Sequence, residues 1–204
     1  WRGALTLRDC TLRNNYAREG GGGVFSHNGT LLITGCTLMN NTTYVSMDDY
    51  YGGGAVAFRA VGIKGAFTLT TLTIENSLLT GNTAPFGGAI SIYVNGWEGF
   101  GESELAIANA TVTVTDSTLS DNSASSSDSG AYGGGIAIAV TGSENDEISW
   151  ARMTVENSTL SGNSAIGSWA EGVEGSFGGG IFNLTSEIFI WNTILNAGPS
   201  GANL

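Results

Sequence analysis

Along this chain, short runs of alternating aliphatic and polar residues are broken by a polar phrase and then begin again. The phrase reads DCTLRNNYA at 9–17, GCTLMNNTT at 35–43, ENSLLTGNTA at 75–84, DSTLSDNSA at 116–124 and ENSTLSGNSA at 156–165. Its last Asn falls at Asn15, Asn41, Asn82, Asn122 and Asn163, at intervals of 26, 41, 40 and 41 residues. Three positions before each stands Leu12, Leu38, Leu79, Leu119 or Leu160, and eight before stands Leu7, Ile33, Ile74, Val114 or Val155. Ten before stands Leu5, Leu31, Leu72, Val112 or Met153. Apolar residues two apart mark a strand with one buried face. Self-similarity at a fixed period marks a repeat architecture.

After each Asn comes a glycine cluster ending in an aliphatic residue: Gly23-Val24, then GGAV at 53–56, GGAI at 87–90, and GGGI at 133–136 and 178–181. Such glycines allow a tight corner and a close approach of neighbouring backbones. Each repeat therefore reads as strand, short strand, Asn turn, Gly corner and third strand. One unit cannot bury its aliphatic face alone, whereas units stacked roughly 4.8 Å apart share a continuous interior. The pattern predicts an all-β, right-handed parallel β-helix (β-solenoid) with five full coils and a partial sixth at IFIWNTIL, 188–195, filling residues 1–204 as one domain. The stack would be roughly 25–30 Å tall. Copies of the phrase lie over one another, so Asn15, Asn41, Asn82, Asn122 and Asn163 are expected to form a structural ladder of side-chain amides. The five leucines three positions before them form a core column.

The shortest repeat measures the bare coil, and the longer ones carry excursions. From Val56 to Leu72, Ile90 to Val112 and Ile136 to Met153 the chain takes 16, 22 and 17 residues, against 7 from Val24 to Leu31. Strand patterns on both sides of these turns predict a wing of extended strands on the middle coils. Further insertions follow Asn41 and Asn163.

An aliphatic or aromatic residue, two more residues, an Asn and then Gly-Gly-Ala-Ile resembles the polymorphic outer membrane protein repeat of bacterial surface and autotransporter-type β-helix proteins. The resemblance covers nearly the whole chain. The family's aromatic at the first motif position is Leu here in all five copies, and the spacings are longer than in its compact form. The resemblance implies a secreted or surface passenger used for adhesion or structure, and it brings no catalytic residues.

Composition narrows the function classes. With 32 Gly, 2 Pro and 12% charged residues, the chain has little helix-forming material. Its 18 acidic and 7 basic side chains give a formal charge of −11, which repels phosphate backbones and so argues against a nucleic-acid partner. The charge is uneven. Arg2, Arg8, Arg13 and Arg18 outnumber Asp9 and Glu19 at the start, while from Ile90 to Gly180 twelve carboxylates face Arg152 alone, so the two ends of an elongated stack would differ in sign. No segment is long and apolar enough to be a membrane-spanning helix. The chain begins at Trp1 and enters a repeat at once, which reads as a processed or excised piece of a longer polypeptide. An extracellular or cell-surface location follows from the resemblance.

Candidate chemistry is sparse. Cys10 and Cys36 share the repeat position held elsewhere by Ser77, Ser117 and Ser158, and stacking would bring them within disulfide reach, as a bridge or as a thiol pair. Sequons at Asn28, Asn40, Asn41, Asn109, Asn157 and Asn183 are candidate glycosylation sites, which would make the chain a glycoprotein. Glu98, Glu102 and Glu104, with Glu144, Asp146 and Glu147, make an acidic edge of the oxygen-ligand type that binds calcium; no other cofactor is expected. His27 is the single histidine and reads as a surface or turn residue. Arg59, Lys64 and Arg152 are the positive groups that a polysaccharide lyase would need as a base, the alternative enzyme reading. Threonine columns, Thr6, Thr73, Thr113 and Thr154, and Thr11, Thr37, Thr118 and Thr159, suggest an ice-binding solenoid, although Arg8, Glu75 and Glu156 interrupt the neighbouring column. Trp97, Phe100, Trp150, Trp169, Tyr50 and Tyr51 in the excursions are placed to grip a glycan or a partner, or to fill the junction with the coil. The leading expectation is a non-enzymatic structural or adhesive module that stacks end to end into a filament, or continues into further repeats of the same chain.

Overall fold

The computed structural model describes residues 3–44, 52–63, 65–96, 106–127, 130–141, 149–167, 175–196 and 198. Among these the fold is all-β, built from parallel sheets stacked in register like a β-solenoid. The first sheet has six strands: Ala4–Arg8, Thr30–Thr34, Phe67–Glu75, Ile107–Thr115, Trp150–Glu156 and Glu187–Trp191. The second has Thr11–Arg13, Thr37–Met39, Leu78–Thr80, Thr118–Ser120, Thr159–Ser161 and Ile194–Leu195. A third sheet runs from Tyr16–Ala17 to Ser164–Gly167, and a fourth from Val24–His27 to Ile181–Leu184, each of five strands. Every strand pairs with its equivalent in the next repeat, not with its sequence neighbour.

Register follows the period of two. Leu12, Leu38, Leu79, Leu119, Leu160 and Leu195 are successive partners in the second sheet. Leu5, Leu31, Leu72, Val112, Met153 and Ile188 do the same in the first. Leu5 apart, they form one interior with Ile33, Ile74, Ile90, Ile92, Ile136 and Ile138, in which the middle layers are wholly buried. A fully buried aliphatic side chain is stabilised by about 1.5–3 kcal/mol over an exposed one, so the shared interior is the main force holding repeats together.

The excursions lengthen the sheets instead of leaving them. In the first sheet the strands grow from five residues to nine, nine and seven, and in the fourth sheet three consecutive strands reach six. An antiparallel bridge between Ile63 and Ala66 closes the shortest excursion. Where the fourth sheet lengthens, its outer face is covered as well. Phe86, Tyr93, Tyr132 and Phe182 cluster there, with Tyr132 stacked on Phe177 at 5.1 Å beside a small sheet of Ala131–Tyr132 and Ser176–Phe177.

The glycine clusters have a steric origin. Gly54 donates its N–H to Gly87, Gly88 to Gly133 and Gly134 to Gly178. At Gly88 an added Cβ would overlap the Gly134 carbonyl oxygen and lie 2.6 and 2.7 Å from backbone atoms of Ser123. One residue further along, the same register accepts Ala55 and Ala89, both fully buried.

Candidate functional site

Asn at a turn can serve the turn itself or serve its neighbours in the stack. Here the second predominates. Asn15 Nδ2 donates to Asn41 Oδ1 at 2.9 Å, Asn41 to Asn82 at 3.0 Å, Asn82 to Asn122 at 2.9 Å and Asn122 to Asn163 at 3.0 Å. Each receiving oxygen also accepts the backbone N–H of the Asn below it, at 3.0–3.2 Å. The second amide hydrogen returns to a leucine carbonyl, from Asn41 to Leu12, Asn82 to Leu38, Asn122 to Leu79 and Asn163 to Leu119, at 2.9–3.0 Å. Asn41, Asn82, Asn122 and Asn163 are buried. For Asn41, Asn82 and Asn122 both donors and both acceptor sites are therefore used, which is what burial of an amide requires. Every link donates in the same sense along the stack.

A second column runs parallel to the first. The backbone N–H groups of Cys10, Cys36, Ser77, Ser117 and Ser158 donate in turn to Cys36 Sγ, Ser77 Oγ, Ser117 Oγ, Ser158 Oγ and Thr193 Oγ1, at 3.1–3.4 Å. Each side chain donates back to the carbonyl two residues earlier, at the end of the preceding strand; for Cys36 that is Thr34 O at 3.3 Å. Cys10 and Cys36 are free thiols and stand in for serine hydroxyls in this column. Replacing Cys36 with Ser is accordingly expected to leave stability within about 1 kcal/mol, whereas Cys36→Ala strands the Cys10 N–H and costs about 1–2 kcal/mol. Thermal melts of both variants check this, and a wild-type melting temperature that falls on adding reductant would instead reveal a bridge.

Burial separates the sequons. Asn41 is wholly buried within the ladder, Asn109 is 3% exposed with Oδ1 accepting from Trp150 N, and Asn28 is 5% exposed with its amide bonded both ways to Val61. All three side chains are thus engaged inside the fold, whereas a sugar-bearing Asn must reach solvent. Asn40, Asn157 and Asn183 are exposed, Asn183 being tied into a turn with Ser186.

The remaining candidates are dispersed. Glu98, Glu102, Glu104, Glu144, Asp146 and Glu147 lie outside the described residues, as do Lys64, Trp97, Phe100, Trp169, Tyr50 and Tyr51. Among the described residues no group of three His, Cys, Asp or Glu side chains is gathered as metal ligands would be. His27 is exposed, 6.3 Å from the Phe25 ring. Arg59 stands on the fourth sheet and Arg152 on the first, so they do not share a face. The threonine columns are each broken by apolar side chains, one by Leu32 and Phe189 and the other by Leu78 and Ile194.

On the outer face of the first sheet, in its last two strands, the structure gathers residues that the sequence leaves in separate repeats. Arg152 donates through Nε and Nη2 to Glu187 Oε2 at 3.0 and 2.8 Å. The guanidinium lies 5.9 Å from the Trp150 ring centre and 5.7 Å from that of Phe189. Phe189 in turn lies 5.7 Å from Trp191. Pairing of the two strands in register makes this possible: Arg152 faces Glu187 and Glu156 faces Trp191. An open cleft of about 540 Å³ flanks the group, lined by Trp150, Arg152, Asn183, Ser186 and Glu187.

No protein-family model, curated protein or solved structure matches the chain.

Proposed function

We propose that this chain is a non-enzymatic structural or adhesive module of an extracellular or cell-surface assembly. Its repeats wind as a right-handed parallel β-helix of five full coils and a partial sixth, and its end layers stack on like layers of a second copy or of further repeats. One observation supports this reading above the rest. The column residue Leu5 in the first layer is 44% exposed, while its partners Leu31 and Leu72 are 0% exposed. Ile188, Ile190 and Leu195 are likewise only half-buried at the other end. An end layer also presents unpaired strand edges, which solenoids cap or cover. Arg8, Arg13 and Arg18 outnumber Asp9 and Glu19 in the first layer, whereas the whole chain carries −11, so head-to-tail contact brings unlike charge together.

Sedimentation velocity across a concentration series, at low and high salt, tests the proposal. The expected result is association that weakens as salt screens the charged ends. Leu5→Glu is expected to abolish association with a change of less than about 1 kcal/mol in stability, because the site is already half in water. Monomers at every concentration and salt, or association untouched by Leu5→Glu, would remove the support for end-to-end stacking.

A further inference from the structure

We propose that the strip formed by Trp150, Arg152, Phe189 and Trp191 is a binding platform for a linear, neutral polysaccharide. This deepens the adhesive half of the function proposed above and rests on it. Trp150, Phe189 and Trp191 are 41%, 37% and 55% exposed, on a sheet face whose other outward residues in the neighbouring strands are threonines interspersed with Phe67, Leu69, Ile107 and acidic side chains. Rigid amphipathic rings give large contact area at small entropic cost, so exposed aromatics in a line are a binding feature rather than a packing one. The steps from Trp150 to Arg152, Arg152 to Phe189 and Phe189 to Trp191 are all just under 6 Å, so the strip is continuous and crosses the last two strands.

Its width identifies the ligand. The strip is one side chain broad and flanked by Thr154, Glu156 and Glu187, so it offers no broad apolar patch of the kind on which a stable protein interface of at least about 1,000 Å² is centred. A chain of pyranose rings fits better, with apolar C–H faces against the rings and hydroxyls at the edges. Hydrogen-bonding partners for those hydroxyls are present. Both Arg152 bonds go to Glu187 Oε2, leaving Oε1 as an acceptor outside the pair, and a bond to a charged group is roughly twice as strong as one between neutral groups. Charge selects neutral sugars over acidic ones. The cation is already paired, Glu156 and Glu187 lie alongside, and the whole chain carries −11.

Native affinity electrophoresis of the full chain tests this, in gels containing hydroxyethyl cellulose, a mixed-linkage β-glucan, galactomannan or dextran, with polygalacturonate as the anionic comparison. The expected result is retardation by at least one neutral polymer and none by polygalacturonate. Trp191→Ala and Phe189→Ala are each expected to weaken the apparent affinity at least fivefold. Leu69→Ala, an equally exposed apolar residue on the same sheet two strands away, leaves it unchanged. Retardation by no neutral polymer, equal retardation of all variants, or retardation by polygalacturonate alone would overturn the proposal. So would loss of self-association in Trp191→Ala without any glycan effect, which assigns the strip to contact between copies. Sedimentation reads the stacking and the gel reads the glycan, so either can fail alone.

Discussion

Asn122→Ala is expected to lower stability by about 3–5 kcal/mol, read as a fall in melting temperature on the order of 10 °C. The side chain is fully buried and makes four hydrogen bonds. Truncation strands the Asn82 backbone N–H and one Asn82 amide hydrogen inside the stack, each costing about 1–3 kcal/mol, and leaves a cavity. Asn15→Ala, at the exposed first position, removes one link and strands nothing in the interior, so its expected cost is below about 1.5 kcal/mol. Equal losses at the two positions would show that the amide column is ornamental. Asn122→Asp sharpens the test. Burial penalises the carboxylate, so its folded pKa is raised above the unfolded value. The variant is then closest to the wild type at acid pH, where the carboxyl is protonated in both states. It loses stability as pH rises past about 4, the unfolded value, and through the raised folded one. A gap from wild type that narrowed with rising pH would contradict the buried, donor-dependent geometry.

Gly88→Ala is expected to cost at least about 3 kcal/mol or to prevent folding. The obstruction is backbone on two sides, from the glycine corner of the next repeat and from Ser123, so no side chain can rotate away. Backbone separation within a parallel ladder is set by hydrogen bonds and cannot widen at one point without breaking the bonds between Gly88 and Gly133 and between Ala89 and Gly135. Gly23→Ala provides the comparison: its added Cβ would meet one backbone atom closely, the Ala55 oxygen at 2.8 Å, in a register that Ala55 and Ala89 already occupy, so its expected cost is smaller, about 1–2 kcal/mol. Chemical denaturation of both variants measures the difference. A mild Gly88→Ala and a severe Gly23→Ala would mean that the corner is held by something other than close backbone approach.

The stacked order was legible because in-register stacking repeats the same demand at the same offset. Leu12 and its four successors had to be apolar for the interior, and Asn15 and its successors had to be amides, since only an amide both donates and accepts twice. The serine column was equally present in the sequence, five residues before each Asn. There the two thiols drew attention to cysteine chemistry, while their likeness to Ser77, Ser117 and Ser158 as donor–acceptor groups was the stronger signal. A sequon triplet contains nothing about depth, so Asn41 and Asn183 look alike until the sheets are formed. Trp150 could be picked out as an excursion aromatic, but its alignment with Arg152, Phe189 and Trp191 depends on register across 35 or more residues and on the side of the strand each occupies. Phe189 and Trp191 belong to the weakest copy of the repeat, where the phrase itself has faded.

The uniform direction of the asparagine links has a consequence for growth. Parallel amide groups polarise one another, each bond strengthening its successor by roughly 10–30%, so a line of them behaves as one long electrical object with unlike poles. An object of that kind has a front and a back, and each layer that joins it in register must point its amide the same way.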